Sequence, residues 1–209
     1  MKIALTIAAG TLLLATGCEQ AKQAKESYSA ISKLSDASKE MSTSLEKAQS
    51  ERAEREKRGD TLSLPYKELQ QFLPISVSGY TPGELKGDSQ KMSGMAFSSA
   101  ERTFTKAPDE EVEVSIMDYN GSNALFQGAA AMMSLGIEHE DDEQVAGPTA
   151  VKADGVKGID TFYKKDGRAE MTLAVGARFL LTLKANKQKD MALLKSVAEE
   201  MDLEKMAKL

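Results

Sequence analysis

Glycine-marked turns in the last third of the chain constrain its fold more than any other feature. Asp154-Gly155, Asp166-Gly167 and Gly176-Ala177 each separate short β-prone runs. Such pairs favour the tight turns of β-hairpins, because glycine readily adopts the positive φ that these turns need. We therefore predict a meander of four antiparallel strands, near 148–153, 156–164, 168–175 and 178–185.

A short helix and two strands are predicted ahead of this meander. The helix is capped by Ser63 and ended by Pro74. The Gly- and Pro-containing segment 79–87 leads to a strand near 95–105. Apolar and polar residues then alternate over 112–116, which predicts a strand with one face in solvent.

Two longer helices complete the predicted domain. One begins at Asn120 or Ser122 and ends at Gly136, and it is apolar almost all round, which predicts deep packing. The other begins at Asp190 and carries an apolar stripe. The sequence thus predicts an α+β fold, in which two or three helices cover an antiparallel meander sheet.

The order of these elements carries a resemblance to a known architecture. An early hairpin, a helix, a meander and a terminal helix after the segment GARFLLTLKAN look like the α-β-α sandwiches of PsbP-type extracytoplasmic proteins. The resemblance implies a non-catalytic accessory of a larger complex. It rests on element order alone and assigns no functional residue.

The segment before the domain has the composition of a stalk. It is rich in Ala, Ser, Lys and Glu and contains no proline between residues 19 and 60. Gly59-Asp60 breaks the pattern, which predicts a signal over 1–17, a stalk over 18–60 and a domain over 61–209. One face of the stalk carries apolar or small residues at three-four spacing: Ala24, Ser27, Ile31, Leu34, Ser38, Met41, Leu45 and Ala48.

Two interpretations of the stalk stay open. It is either a solvated tether or a helix that self-associates, or docks on a partner, through residues 24–48.

The first residues have the pattern of an export signal. Lys2 precedes the apolar run 3–14, which is too short to span a bilayer. The segment from Leu14 to Cys18 resembles the lipobox of bacterial lipoproteins. That resemblance implies cleavage between Gly17 and Cys18 and acylation of Cys18, the only cysteine of the chain.

Acylation would anchor the chain to a membrane without spanning it, because two or three acyl chains bind a bilayer almost permanently. Glu19 stands where Asp marks inner-membrane retention in enterobacterial lipoproteins, which implies an outer-membrane protein whose domain faces the periplasm. The alternative is an ordinary signal peptide that leaves Cys18 as a free thiol.

The charge of the chain excludes one class of function. The 32 acidic and 27 basic residues give a formal net charge of −5, and the two signs are interspersed. Nucleic-acid-binding domains carry clustered positive charge instead. We therefore predict no nucleic-acid partner.

Catalytic and cofactor motifs are absent from the sequence. His139 is the only histidine, and no G-x-S-x-G elbow or Gly-rich phosphate loop occurs. We therefore predict no cofactor and no enzymatic activity. The leading hypothesis is a domain that binds another envelope protein or a small ligand.

Two alternatives use acidic residues. The first is a divalent-cation site in the acidic stretch, which comprises Glu138, His139, Glu140, Asp141, Asp142 and Glu143. A solvated loop is the competing interpretation of these residues. The second is a glycan-acting enzyme, for which Asp109, Glu110 and Glu111 or the acidic stretch would have to meet across a cleft.

Overall fold

A computed structural model describes residues 38–39, 41–43, 45–92 and 95–209. The signal segment, the acylation site at Cys18 and the part of the stalk stripe before Ser38 lie outside the described residues.

In the described part of the chain, eight strands form one sheet in which every neighbouring pair is antiparallel. Their order across the sheet is β1-β2-β3-β8-β7-β6-β5-β4, so two meanders are joined where β3 pairs with β8. The strands are β1 (Thr81–Met92), β2 (Met95–Ala107), β3 (Glu110–Asp118), β4 (His139–Glu140), β5 (Gln144–Pro148), β6 (Val156–Tyr163), β7 (Arg168–Val175) and β8 (Phe179–Ala185).

Helices flank the sheet. We label as α1 the helical residues 38–39, 41–43 and 45–57. The others are α2 (Tyr66–Leu69), which continues as a 3-10 turn over Gln70–Phe72, α3 (Asn123–Met133), which follows a 3-10 turn over Asn120–Ser122, α4 (Ala192–Glu200) and α5 (Leu203–Ala207).

The main hydrophobic core lies on one face of the central strands. Leu181 of β8 pairs with Ile116 of β3 and with Leu173 of β7, and all three side chains are buried. Residues that pair across a ladder share a face of the sheet, so these form one apolar layer. The helices α2, α4 and α5 cover this layer with Leu69, Leu194 and Met206.

The helix α3 lies on the opposite face. Gly158 pairs with Leu173 on the core side, so the next pair, Lys157 and Ala174, points to the other side. Lys157 Nζ donates to Ser134 Oγ, directly after α3, at 3.4 Å. The described part of the chain therefore places helices against both faces of the sheet.

Most of the predicted elements are confirmed. The α+β class is correct, and the predicted strands at 95–105 and 112–116 belong to β2 and β3. Gly167 and Gly176 have φ of 65° and 60° in the turns that join β6 to β7 and β7 to β8. The hairpins predicted there form as expected.

The strands differ from the prediction at two places. Residues 79–87, for which the sequence predicted no strand, lie mostly in β1, which pairs with β2 although the side chains of residues 81–91 are exposed. Backbone pairing, rather than apolar alternation, forms this strand. The strand predicted at 148–153 lies at Gln144–Pro148 instead, and the rest of the predicted range belongs to the connection to β6. In that connection the Thr149 hydroxyl accepts the Val151 N–H at 3.3 Å.

Two details of the helices also differ from the prediction. Pro65, not Ser63, is the N-cap of α2, and the Ser63 hydroxyl instead accepts a hydrogen bond from Ser98 at 3.1 Å. The helix α3 is not deeply packed all round, since Met132 is 61% exposed. The helix packs against β6 and β7, and part of its surface stays in solvent.

Two glycines allow a matched test of the backbone. A Cβ at Gly176 would lie 2.9 Å from the Ala207 carbonyl oxygen at φ +60°. We expect Gly176→Ala to lower the free energy of unfolding by at least about 1–2 kcal/mol. Gly128 lies within α3 with nothing within 4 Å of an added Cβ. Gly128→Ala should raise that free energy by about 0.4–1 kcal/mol.

Urea denaturation of the two variants checks this expectation. Equal effects of both substitutions would contradict the close approach at the β7–β8 turn.

Candidate functional site

A buried polar cluster lies at the end of the sheet where β3 meets the β7–β8 turn. Its members are Arg55, Asp60, Asp118, Asn120 and Arg178. Arg178 is 2% exposed. It donates two hydrogen bonds to Asp118, from Nε to Oδ1 at 2.9 Å and from Nη2 to Oδ2 at 2.8 Å. Such a planar bidentate pair is a strong form of charged hydrogen bond.

The remaining members complete this cluster. Asp60 accepts from Arg178 Nη1 at 3.0 Å and from Asn120 Nδ2 at 2.9 Å. Arg55 donates to Asn120 Oδ1 at 3.0 Å and to the Ala177 carbonyl at 3.1 Å. Burial, and next the nearby Arg178, lower the pKa of Arg55 from its ordinary value. Two guanidinium groups thus face two carboxylates.

The cluster ties α1 to the domain. Arg55 lies near the end of α1, and Asp118 also accepts the Leu64 N–H at 2.7 Å at the start of the domain. Arg55 and Asp60 therefore contact the region that the sequence assigns to residues 61–209. The boundary at residue 60 stays a prediction, and the structure adds that the chain before it is attached.

The same attachment turns the apolar stripe of α1 toward the domain. Met41, Leu45 and Ala48 are half-buried and line a pocket with α3. These three residues belong to the stripe for which self-association was one interpretation. Within the described residues they face their own domain, and self-association stays a prediction.

This pocket forms the apolar half of a cleft. It has a volume of about 360 Å³, within the range of about 300–1,000 Å³ that is typical of ligand sites. Its walls come from α1, α3, β6, β7 and α5. Most of the wall is apolar and includes Met41, Leu45, Phe126, Ala130, Ala174 and Ala207, and the charged residues Lys47, Glu51 and Lys208 also line it. Small alanine side chains make the walls smooth and leave space between the elements.

A second pocket adjoins the first and forms the polar half of the cleft. Its volume is about 580 Å³. Its exposed charged residues are two bases and two acids: Lys152, Lys157, Asp154 and Glu204. The two halves share Ser134, Asp154, Val156, Lys157 and Glu204. An apolar space therefore borders a polar rim of both charge signs.

Sequence reasoning did not find this cleft. Its lining runs from Met41 to Lys208, and alanines contribute much of it, so no local motif marks it. The stalk stripe through Met41, Leu45 and Ala48 was the only available signal. Its partner surface on α3 becomes visible only after the chain has folded.

The acidic stretch forms a separate, exposed hairpin. His139 Nε2 lies 3.0 Å from Asp141 Oδ2, and Asp141 Oδ1 accepts the N–H groups of Glu143 and Gln144, each at 2.8 Å. The neighbouring acids are paired with lysines: Glu140 with Lys164 and Glu143 with Lys165. Glu138 and Asp142 are exposed beside them.

Most of these carboxylates thus serve turn and ion-pair contacts. In the described part of the chain, no group of three or more His, Cys, Asp or Glu is placed to hold a metal ion. Metal binding by residues 138–143 stays a prediction.

Neither the acids at the β2–β3 turn, Asp109, Glu110 and Glu111, nor the acidic stretch lines the cleft. Glu110 Oε1 accepts from Lys106 Nζ at 2.7 Å and from the Tyr80 hydroxyl at 3.3 Å. The hydrogen bond from Lys106 lowers the pKa of Glu110. Asp109 and Glu111 are exposed at the same turn, and none of these acids lines either half of the cleft.

Comparison of the chain with protein-family models, with curated proteins and with solved structures finds no match. The resemblances to lipoproteins and to PsbP-type domains therefore stay predictions. Among the described residues, no helix is both long and apolar enough to cross a membrane.

Loss of one partner of the buried pair should strongly destabilise the protein. Arg178→Ala would leave the Asp118 carboxylate buried without its main partner, and such a change costs about 3–5 kcal/mol. The control is Lys184→Ala, because Lys184 Nζ lies 3.6 Å from Glu113 in a largely exposed pair. That variant should lose less than about 1 kcal/mol.

Urea denaturation compares the two variants. A loss below about 1 kcal/mol for Arg178→Ala would show that the pair is not a main support of the fold.

The Asp141 carboxyl group in the acidic hairpin should titrate with a lowered pKa. The backbone N–H groups of Gln144 and Glu143, and then His139, lower the pKa of Asp141 from 3.8 to about 2. The carboxylate's stabilising contribution is therefore complete above pH 3.8, and it is lost as the pH falls through about 2.

Carbon-13 NMR of the Asp141 carboxyl group measures this midpoint directly. His139→Ala keeps the two backbone donors and should retain most of the depression. A midpoint near the ordinary value in the unmodified chain would contradict the hydrogen-bonded turn.

Proposed function

We propose that this chain is a lipoprotein of the bacterial envelope, held in the outer membrane by acylated Cys18. Its α+β domain faces the periplasm and is a non-catalytic binding module. The observation that carries the binding role is the cleft between α1 and the domain, with its apolar half beside a charged rim. The lipobox-like segment carries the membrane attachment.

The attachment of α1 supports this combination. Arg55 joins the end of α1 to the buried polar cluster through its hydrogen bonds to Asn120 and to the Ala177 carbonyl. The cleft therefore lies beside the segment that leads to the membrane anchor. The chain from Cys18 to Ser38 can span at most about 70 Å when fully extended. The cleft therefore stays within reach of the membrane surface that holds the anchor.

The two alternative functions have weaker support. A divalent-cation site at residues 138–143 would compete with the lysines that pair with Glu140 and Glu143. A carboxylate-dependent action on glycans needs acids that converge on a cleft, whereas Glu110 pairs with Lys106 away from the cleft. Binding in the cleft uses residues that the fold does bring together.

Replacement of the acylated residue tests the anchor. Cells that express the Cys18→Ser chain should show no incorporation of labelled palmitate into it, and it should be lost from the outer-membrane fraction. Glu19→Asp keeps the thiol, so it should retain the label and shift the chain to the inner membrane.

Labelling and density fractionation of the three chains give the result. If the chain without substitutions takes up no labelled palmitate, the lipoprotein assignment is wrong.

A further inference from the structure

We propose that the cleft binds one molecule of a single-chain zwitterionic phospholipid. The acyl chain would occupy the apolar half and the phosphate-ammonium head would lie at the polar half. This inference rests on the proposed function, because an envelope lipoprotein lies beside a membrane that contains such lipids. It names the ligand of the binding module.

The shape of the apolar half favours one flexible chain. Its walls combine aromatic and aliphatic side chains from α1 and α3, among them Leu45 and Phe126, with alanines from β7 and α5. Met41 adds an unbranched side chain that adapts to a flexible ligand. A volume of about 360 Å³ suits one acyl chain better than the two chains of a diacyl lipid.

The charges of the polar half select the headgroup. Lys152 and Lys157 can face a phosphate, and Asp154 and Glu204 can face an ammonium group. Complementary charges across an interface suppress wrong partners, because like charges in contact are costly. A fatty acid has one carboxylate and no cation, so it offers no group that Asp154 or Glu204 could bind.

The location of the cleft links occupancy to α1. Met41, Leu45 and Ala48 form one wall, and α3 with the β6–β7 region forms the opposite wall. A ligand in contact with both walls stabilises the attached state of α1, since it binds that state better than a detached one. Binding should therefore slow amide hydrogen exchange in residues 45–57.

The test uses the chain from residue 18 to residue 209 with Cys18→Ser, so that no detergent, no attached acyl chain and no apolar signal segment compete for the cleft. The probe is palmitoyl-lysophosphatidylethanolamine below its micelle-forming concentration. Native mass spectrometry gives the stoichiometry, and calorimetry gives the affinity. We expect one bound molecule, and at least tenfold weaker binding of palmitic acid and of the anionic palmitoyl-lysophosphatidylglycerol.

Two pairs of variants locate the ligand. Ala130→Trp fills the apolar half and should weaken binding at least tenfold. Met132→Trp adds the same side chain to an exposed position of α3 outside the apolar half, and should leave the affinity unchanged. Lys152→Glu reverses a charge of the rim and should weaken binding at least fivefold, whereas Lys184→Glu on β8, outside the cleft, should not.

Thermal unfolding of every variant identifies any that fails to fold. If Ala130→Trp does not fold, Lys152→Glu and the protection of residues 45–57 decide the result.

Other occupants give distinct results, and each would overturn the proposal. Palmitic acid that binds as tightly as the zwitterionic probe would show that the headgroup is not recognised. Binding only to diacyl vesicles would indicate a membrane surface, and a concentration-dependent dimer blocked by Ala130→Trp would indicate a second copy of the chain.

The two proposals also fail separately. If no probe binds while Cys18 is acylated in cells, the lipid ligand is wrong and the lipoprotein assignment stands. If the lysophospholipid binds but Cys18 carries no acyl chain, the lipoprotein assignment is wrong and the lipid ligand stands.

Discussion

The bidentate pair between Arg178 and Asp118 is the contact on which the arrangement of this protein depends. It joins the β7–β8 turn to the end of β3, where the two meanders of the sheet meet. Both side chains are buried, so each charge needs the other. Asp60, Asn120 and Arg55 extend the pair to the segment before the domain. Removal of one partner would leave a buried charge without its counter-charge. The members of the cluster therefore stabilise the fold together.

The cleft depends on this cluster although it lies beside it. Arg55 fixes the last turns of α1, and this directs Met41 and Leu45 toward α3. Without that attachment the apolar half would lose one wall. The segment that the sequence describes as a stalk therefore also lines the cleft. Membrane anchor, helix and ligand site form one continuous arrangement in our proposal.

Local rules predicted much of the fold. The turns at Gly167 and Gly176 need positive φ, and the alternation in β3 reflects its buried and half-buried faces, so both could be predicted from neighbours in sequence. The errors arise from contacts that local sequence patterns do not show. The strand β1 forms through backbone pairing with β2, which composition does not reveal. The Thr149 hydroxyl ends β5 through a contact that depends on the folded turn.

The candidate site could not be predicted in the same way. The acidic stretch suggested a metal site in the sequence. In the folded chain, however, Lys164 pairs with Glu140 and Lys165 pairs with Glu143. The sequence by itself determined the antiparallel meander, because its turns follow from residues close together in the chain, and the pattern of residues 1–18 predicts an acylated export signal. Only the tertiary structure decided that α1 packs on the domain and encloses a cleft. That outcome depends on a buried cluster whose charges lie more than a hundred residues apart, such as Asp60 and Arg178, and no local pattern brings them together.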